Sequence, residues 1–154
     1  MADFDPCRRA EQNNKGVRMS FMEWNKGYSV GVAIFDDEHK KLIAIINQLH
    51  EAVAEGVDRL ALQRISDSLV EYVLMHFRHE EMYFGDWAYP EAAEHISIHA
   101  KLRQQVFEYR KQIMEKDSGE LAQELAVFLR DWLAQHILVE DRKYGDFLIH
   151  KGLR

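Results

Sequence analysis

The sequence predicts an all-α protein, an antiparallel up-down four-helix bundle with an extended amino-terminal arm and a short carboxy-terminal segment. Three observations predict it. Helix breakers are sparse: there are two prolines, Pro6 and Pro90, and eight glycines that fall mostly between periodic stretches. Apolar residues recur at three and four residue spacing along four long segments. The connections between those segments are short, which makes neighbouring helices antiparallel.

The elements follow in chain order. Residues 1–18 are polar and aperiodic, with Asn13, Asn14 and Gly16, and read as a flexible tail preceding a single domain over 19–154; Met19 is an alternative start of the native chain. From Phe21 to Phe35, aromatic and β-branched residues mix with Gly27 and Gly31, which suits an extended arm anchored by Trp24 and Tyr28. The first helix spans about Asp37 to Glu55, with His39, Leu42, Ile43, Ile46, Leu49 and Val53 on one stripe, and Gly56 ends it. The second spans about Arg59 to Phe84 and turns Leu62, Ile65, Leu69, Val73, His76, Phe77, Glu80 and Phe84 inward, with Gly85 and Pro90 bracketing its exit. The third begins near Pro90, a favoured first-turn residue, and carries His95, His99, Leu102, Val106, Tyr109 and Ile113 until about Lys116. After a turn at Asp117, Ser118 and Gly119, the fourth holds Leu121, Leu125, Phe128, Trp132, Leu133 and His136 on one face and stops before Gly145.

Composition narrows the function. A chain of 154 residues that is 47% hydrophobic buries a real core as one domain. Its net charge of −6 disfavours nucleic acid or an anionic membrane as partner. Cys7 is the one cysteine, so neither an internal disulfide nor a thiolate metal cage is available, and a reducing, cytoplasmic setting is expected. No apolar run approaches the roughly 18 residues of a membrane span, and Asp3, Asp5 and Glu11 stand where a signal peptide would be apolar.

The predicted core contains too many polar groups for ordinary packing. An unpartnered buried polar group costs roughly 1 to 3 kcal/mol. Yet each stripe holds histidine: His39, His76, the pair His95 and His99, and His136, with Glu80 beside them. Residues four apart differ by only about 40° around a helix, so His76 with Glu80, and His95 with His99, reach common points. One such histidine is ordinarily a hydrogen-bonded core residue. Five clustered together leave acceptor nitrogens unsatisfied unless a metal takes them. His50, His79 and His150 fall off the stripes and are assigned to the surface.

Imidazole and carboxylate without thiolate suit iron, zinc, copper or manganese, and a ligand set of this size exceeds what one four-coordinate zinc takes, so two metals are implied. There is no Cys-x-x-Cys-His for haem, no His-Glu-x-x-His, and no Glu-x-x-His of the ferritin-like bundles. For an acid partner of His136, ideal helical geometry favours Glu140, four residues on, over Asp141.

In order, His39, then His76-Phe77-x-x-Glu80, then Tyr89-Pro90 with His95-x-x-x-His99, then Trp132 before His136-Ile137-x-x-x-Asp141 resemble the hemerythrins in their single-domain bacterial form. Val30-Gly31-Val32 and Asp37-Glu38-His39-Lys40-Lys41-Leu42 belong to the same resemblance, which runs from about Trp24 to Ile149; Glu38 stands where glutamine is common. The resemblance implies a non-haem centre of two iron ions with a bridging hydroxide or oxide. One iron takes His95, His99 and His136, the other His39 and His76, and Glu80 and Asp141 bridge. Asp141 is preferred to Glu140 on this ground, through a local helical bulge. Reversible dioxygen binding at the open second iron is the implied function, for carriage, storage or delivery to an oxygen-consuming enzyme by a monomer rather than catalysis. Leu42, Phe77, Trp132, Leu133 and Ile137 are the expected oxygen pocket, each also readable as plain core packing. A di-iron redox enzyme and an oxygen or nitric oxide sensor are the alternatives.

Overall fold

The computed structural model describes residues 20–56, 58–116 and 119–153. The expected tail, residues 1–18, lies outside them. The arm is held against the bundle by specific contacts. Asn47 accepts from the Met22 N–H at 2.9 Å and donates to the Met22 carbonyl at 2.8 Å, so one side-chain amide does what a neighbouring strand would do. Phe21 stacks on His50 with ring centroids 4.0 Å apart, and the Arg130 guanidinium lies 4.7 Å from the Phe21 ring. A single 3-10 turn, Lys26–Tyr28, interrupts the arm.

Helix α1, Ala33–Ala54, starts earlier than the expected Asp37, so the last arm residues are helical and Phe35 is fully buried. Val32 at its N-cap supplies no side-chain bond. Asp36 in the first turn acts instead, accepting from the Val30 N–H at 2.8 Å and the Ser29 hydroxyl at 2.5 Å, which ties arm to helix. Helix α2, Arg59–Asp86, is capped by Asp58, whose side chain accepts from the Ala61 N–H at 2.9 Å. It runs on through Gly85. Helix α3 is Ala92–Lys116, with Pro90 in the turn before it, and α4 is Gly119–His136.

The chain beyond α4 corrects the expected ending. A π-helical turn, Ile137–Asp141, leads into a further helix α5, Arg142–His150, that passes through Gly145. A Cβ at Gly145 would lie 2.4 Å from the Val30 carbonyl oxygen, so this glycine marks close approach of helix to arm and not a helix end. Gly31, on the arm, has φ +78° and faces Ile149 of the same helix.

Helix α1 packs on α2 and α4, and α3 packs on α2 and α4, which closes the four into an antiparallel up-down bundle. Leu42, Ile46, Leu49, Leu69, Val73, Phe77, Leu102, Val106, Leu125, Leu129 and Leu133 fill the centre. Burying each such side chain contributes about 1.5 to 3 kcal/mol. Val53, Ile65, Tyr109, Leu121, Phe128 and Trp132, also expected inside, are only half-buried. Apart from Ser66, every fully buried polar side chain among the described residues belongs to one cluster or touches it: Glu38, His39, His76, Glu80, His95, His99, His136 and Asp141. No helix among the described residues is long and apolar enough to cross a membrane.

Candidate metal centre

Each bundle helix delivers a histidine to the cluster. His39 comes from α1, His76 and Glu80 from α2, His95 and His99 from α3, His136 from the last residue of α4, and Asp141 from the π turn. The seven side chains are between 0% and 4% exposed. The π turn points the two acids left open by helical geometry in different directions. Its hydrogen bond from the Arg142 N–H to the Ile137 carbonyl spans five residues, which brings residues five apart onto one face. Asp141 thereby points inward, with Oδ1 3.0 Å from His136 Nε2, while Glu140 stays partly exposed and pairs with Lys143 at 3.1 Å.

The donor atoms sort into two groups that share both acids. In one, atoms of Glu80, His95, His99, His136 and Asp141 lie within 4.8 Å of one another; in the other, atoms of His39, His76, Glu80 and Asp141 do. Each carboxylate divides its oxygens between the groups. Asp141 Oδ1 is 3.2 Å from His95 Nε2, and Oδ2 is 3.2 Å from His39 Nε2. Glu80 Oε2 is 3.1 Å from His99 Nε2, and Oε1 is 3.3 Å from His76 Nε2.

These contacts do not satisfy the atoms that make them. His39 Nε2, His76 Nε2, Glu80 Oε2 and both Asp141 oxygens have no properly oriented hydrogen bond despite full burial. His136 Nε2 lies 3.1 Å from His95 Nε2 and 3.2 Å from His99 Nε2, an arrangement in which at most one proton serves each pair of ring nitrogens. Two nitrogens each about 2.1 Å from one cation at right angles are about 3.0 Å apart. The spacing and the orphaned lone pairs both fit a donor set built around cations.

The electrostatics agree. Burial and the neighbouring Asp141 push the Glu80 carboxyl up, but His76, His39 and His99 outweigh them and hold it far below the usual range. Burial likewise opposes ionisation of Asp141, and His136, His39 and His95 hold its carboxyl low. His39 is pushed down by burial, yet Asp141 and Glu80 raise it to about 9. Two buried carboxylates held low, with an imidazole held high beside them, form a cluster whose charge a bound cation would balance.

A ring of outer partners orients the donors, which fixes ring tautomers because a carboxylate only accepts. His76 Nδ1–H donates to Glu38 Oε2 at 2.8 Å, and His99 Nδ1–H donates to Glu81 Oε1 at 3.0 Å. Burial pushes Glu38 up, but its two histidine donors, His76 and His79, outweigh this and hold the carboxyl below its ordinary value. The Tyr144 hydroxyl donates to Glu80 Oε1 at 2.5 Å from a fully buried ring. Sequence reasoning missed Tyr144 and Glu81. Tyr144 stands three residues after Asp141, a spacing that was a usable signal.

The expected oxygen pocket is found as buried packing. Leu42, Phe77, Leu133 and Ile137 are 2%, 0%, 1% and 0% exposed. Phe77 stacks on His99 at 3.8 Å and Trp132 stacks on His136 at 4.2 Å. Trp132, half-buried, also lines a surface groove of about 220 Å³ with Ile98, Gln135, His136, Val139 and Glu140. Of the histidines assigned to the surface, His150 is exposed, whereas His79 bonds Glu38 and His50 is half-buried under Phe21.

A family model described as the hemerythrin HHE cation binding domain matches residues 30–148. The chain belongs to the hemerythrin family. Among hemerythrin relatives, the bacteriohemerythrin of Methylococcus capsulatus is 33% identical over 131 residues, 84% of this chain and 98% of that protein. That of Pseudomonas aeruginosa is 31% identical over 132 residues, 86% of this chain and 84% of its own. A crystal structure of wild-type hemerythrin superposes with a TM-score of 0.76 at 32% identity, covering 82% of this chain and 96% of that one. The bundle is thus shared with hemerythrins in both fold and sequence.

Proposed function

We propose that this protein binds dioxygen reversibly at a pair of iron ions. The hemerythrin family supports a di-iron protein that binds or senses oxygen. The observation that carries the finer reading is the division of Glu80 and Asp141 between two donor groups with unequal numbers of histidines. His95, His99 and His136 would hold one iron, His39 and His76 the other, and the two acids, with a hydroxide or oxide, would bridge. The two-histidine group offers one protein ligand fewer, so an iron held there would have room for oxygen. When bound, the ferrous pair supplies reversible affinity for oxygen.

The chain's own residues do the rest. Glu38 and Glu81 orient His76 and His99, and Tyr144 fixes Glu80. Leu42, Phe77, Leu133 and Ile137 exclude water, with Trp132 at the edge, so that no proton donor reaches the ligand. The finer reading is a cytoplasmic monomer that stores oxygen or delivers it to an oxygen-consuming enzyme, in keeping with the negative charge and the absence of a membrane-spanning helix among the described residues.

The test is to load the protein with ferrous iron without oxygen, admit air, and then remove it while recording the visible spectrum. A charge-transfer band that appears and disappears over repeated cycles supports the carrier. Irreversible oxidation on first exposure refutes it in favour of a redox enzyme.

A further inference from the structure

Glu38 is a buried carboxylate shared by two imidazoles. Oε2 accepts from His76 Nδ1–H at 2.8 Å and Oε1 from His79 Nδ1–H at 2.6 Å; the Glu38 side chain is 7% exposed and that of His79 is 40% exposed. One ring turns its Nε2 to the metal centre. The other belongs to a half-exposed side chain outside the cluster. Glu81, which plays the corresponding part behind His99, is arranged differently: the same Oε1 also accepts from Arg103 at 2.6 Å, so a permanent cation cancels its charge. Among the described residues, Glu38 has no arginine or lysine ion-pair partner, and the Nδ1 atoms of His39 and His95 have no hydrogen-bond partner. The centre is therefore electrically lopsided, with an anion behind the two-histidine side that no fixed cation offsets.

We propose that Glu38 is a positioning residue that lowers the reduction potential of the two-histidine iron by acting through His76, and that His79 limits how much of that charge His76 receives. The inference rests on the di-iron reading above. A carboxylate accepting the outer N–H of a ligating imidazole raises the basicity of the inner nitrogen and favours the more highly charged metal. In a buried site such a charge-assisted bond is little screened. His79 competes for the same carboxylate, so each bond it makes weakens the pull on His76. Removing the anion and removing its competitor must then act in opposite directions, whereas mere loosening of the site would move both variants the same way.

The experiment compares iron content and reduction potential, by mediated spectroelectrochemistry, of the iron-loaded protein and its Glu38→Gln and His79→Ala variants. Glu38→Gln is expected to stabilise the ferrous form about tenfold, which raises the potential by about 60 mV for a one-electron couple. His79→Ala is expected to lower it, by a twofold to threefold change in the same equilibrium or about 20 to 30 mV. His79→Ala should hold as much iron as the parent, and the potential of Glu38→Gln is read on its iron-loaded fraction. Shifts of the same sign, or unchanged potentials at full iron occupancy, overturn the proposal. If Glu38→Gln does not load, His79→Ala at its half-exposed position decides alone: a lowered potential supports the role, an unchanged or raised one refutes it. Failure of the parent protein itself to take up iron would overturn the di-iron reading and this proposal with it, whereas potentials that fail to shift at full occupancy overturn the proposal alone.

Discussion

His136 Nε2 stands 3.0 Å from Asp141 Oδ1, although an α-helix would place residues five apart about 140° from each other. The π turn Ile137–Asp141 removes that mismatch, and it makes Asp141 and Glu140 unequal despite their adjacency. Asp141→Ala is expected to lose the proposed iron pair, since one of two shared acids disappears and three imidazoles lose their counter-charge. Glu140→Ala removes only a partly exposed ion pair with Lys143, worth at most about 1 kcal/mol, and should keep full iron. Elemental analysis of the two purified variants checks this; iron retained by the first and lost by the second would reassign the bridging acid.

Tyr144→Phe tests the outer ring. The phenol donates to an ionised, fully buried Glu80, and hydrogen bonds to charged groups contribute about 1.5 to 3 kcal/mol. The variant leaves a carboxylate oxygen short of one donor without changing the shape of the core. Denaturant unfolding of the metal-free protein should show a loss in that range at unchanged m-value. No loss would mean that the hydroxyl bond is not formed in solution.

How much of this was legible in the sequence depended on whether a residue's role was periodic. The stripe on α1, with His39 among Leu42, Ile46 and Leu49, follows directly from a three and four residue repeat, as do the His76–Glu80 and His95–His99 pairs. Asp141 could not follow from periodicity, because it occupies the inner face only through a departure from α-helical hydrogen bonding; resemblance alone favoured it over Glu140. Helix α5 was hidden by Gly145, read as a stop where it is a close contact with Val30. The early start of α1 was hidden too, because its N-terminal stabilisation comes from Asp36 reaching back to Ser29 and Val30 instead of from a capping residue at Val32. The double use of Glu38 depends on helix-to-helix distance, which no single-helix pattern encodes.

Gly145→Ala should therefore destabilise the fold. A methyl group would meet backbone at 2.4 Å, an atom that cannot rotate away, so α5 or the arm must shift. Overpacking of this kind costs about 1 to 3 kcal/mol, more than alanine's better helix propensity returns. Thermal unfolding measures it, and a stabilised variant would show that the arm does not sit on α5 as described.

Leu133→Ala is expected to speed conversion of the oxygenated protein to its oxidised form severalfold. The side chain is 1% exposed on α4, one turn before Ile137 and beside Trp132, and its loss opens space for water near the donors. Stability should fall by about 2 to 5 kcal/mol as well, so the rate is compared well below the unfolding transition. An unchanged oxidation rate in a stably folded variant would remove Leu133 from the pocket.

Metal uptake should release protons in a direction set by His39. Burial pushes this imidazole down from its ordinary value of 6.5, but Asp141 at 3.2 Å and Glu80 at 3.8 Å raise it to about 9. With that value the metal-free protein is expected to hold the ring protonated at pH 7, and a cation binds only the neutral ring. Each binding event then expels a proton, and affinity should rise by about one log unit per pH unit between about 7 and 9 before levelling off. The same raised value gives the sign for folding: the stabilisation from imidazolium is fully present below 6.5 and is lost as pH rises through about 9, so the metal-free protein should weaken across that window while the metal-loaded protein does not. Calorimetry in buffers of different ionisation enthalpy counts the protons directly. Uptake of metal at pH 7 without proton release would mean that His39 is neutral in the empty site, and that the two acids are balanced by another group.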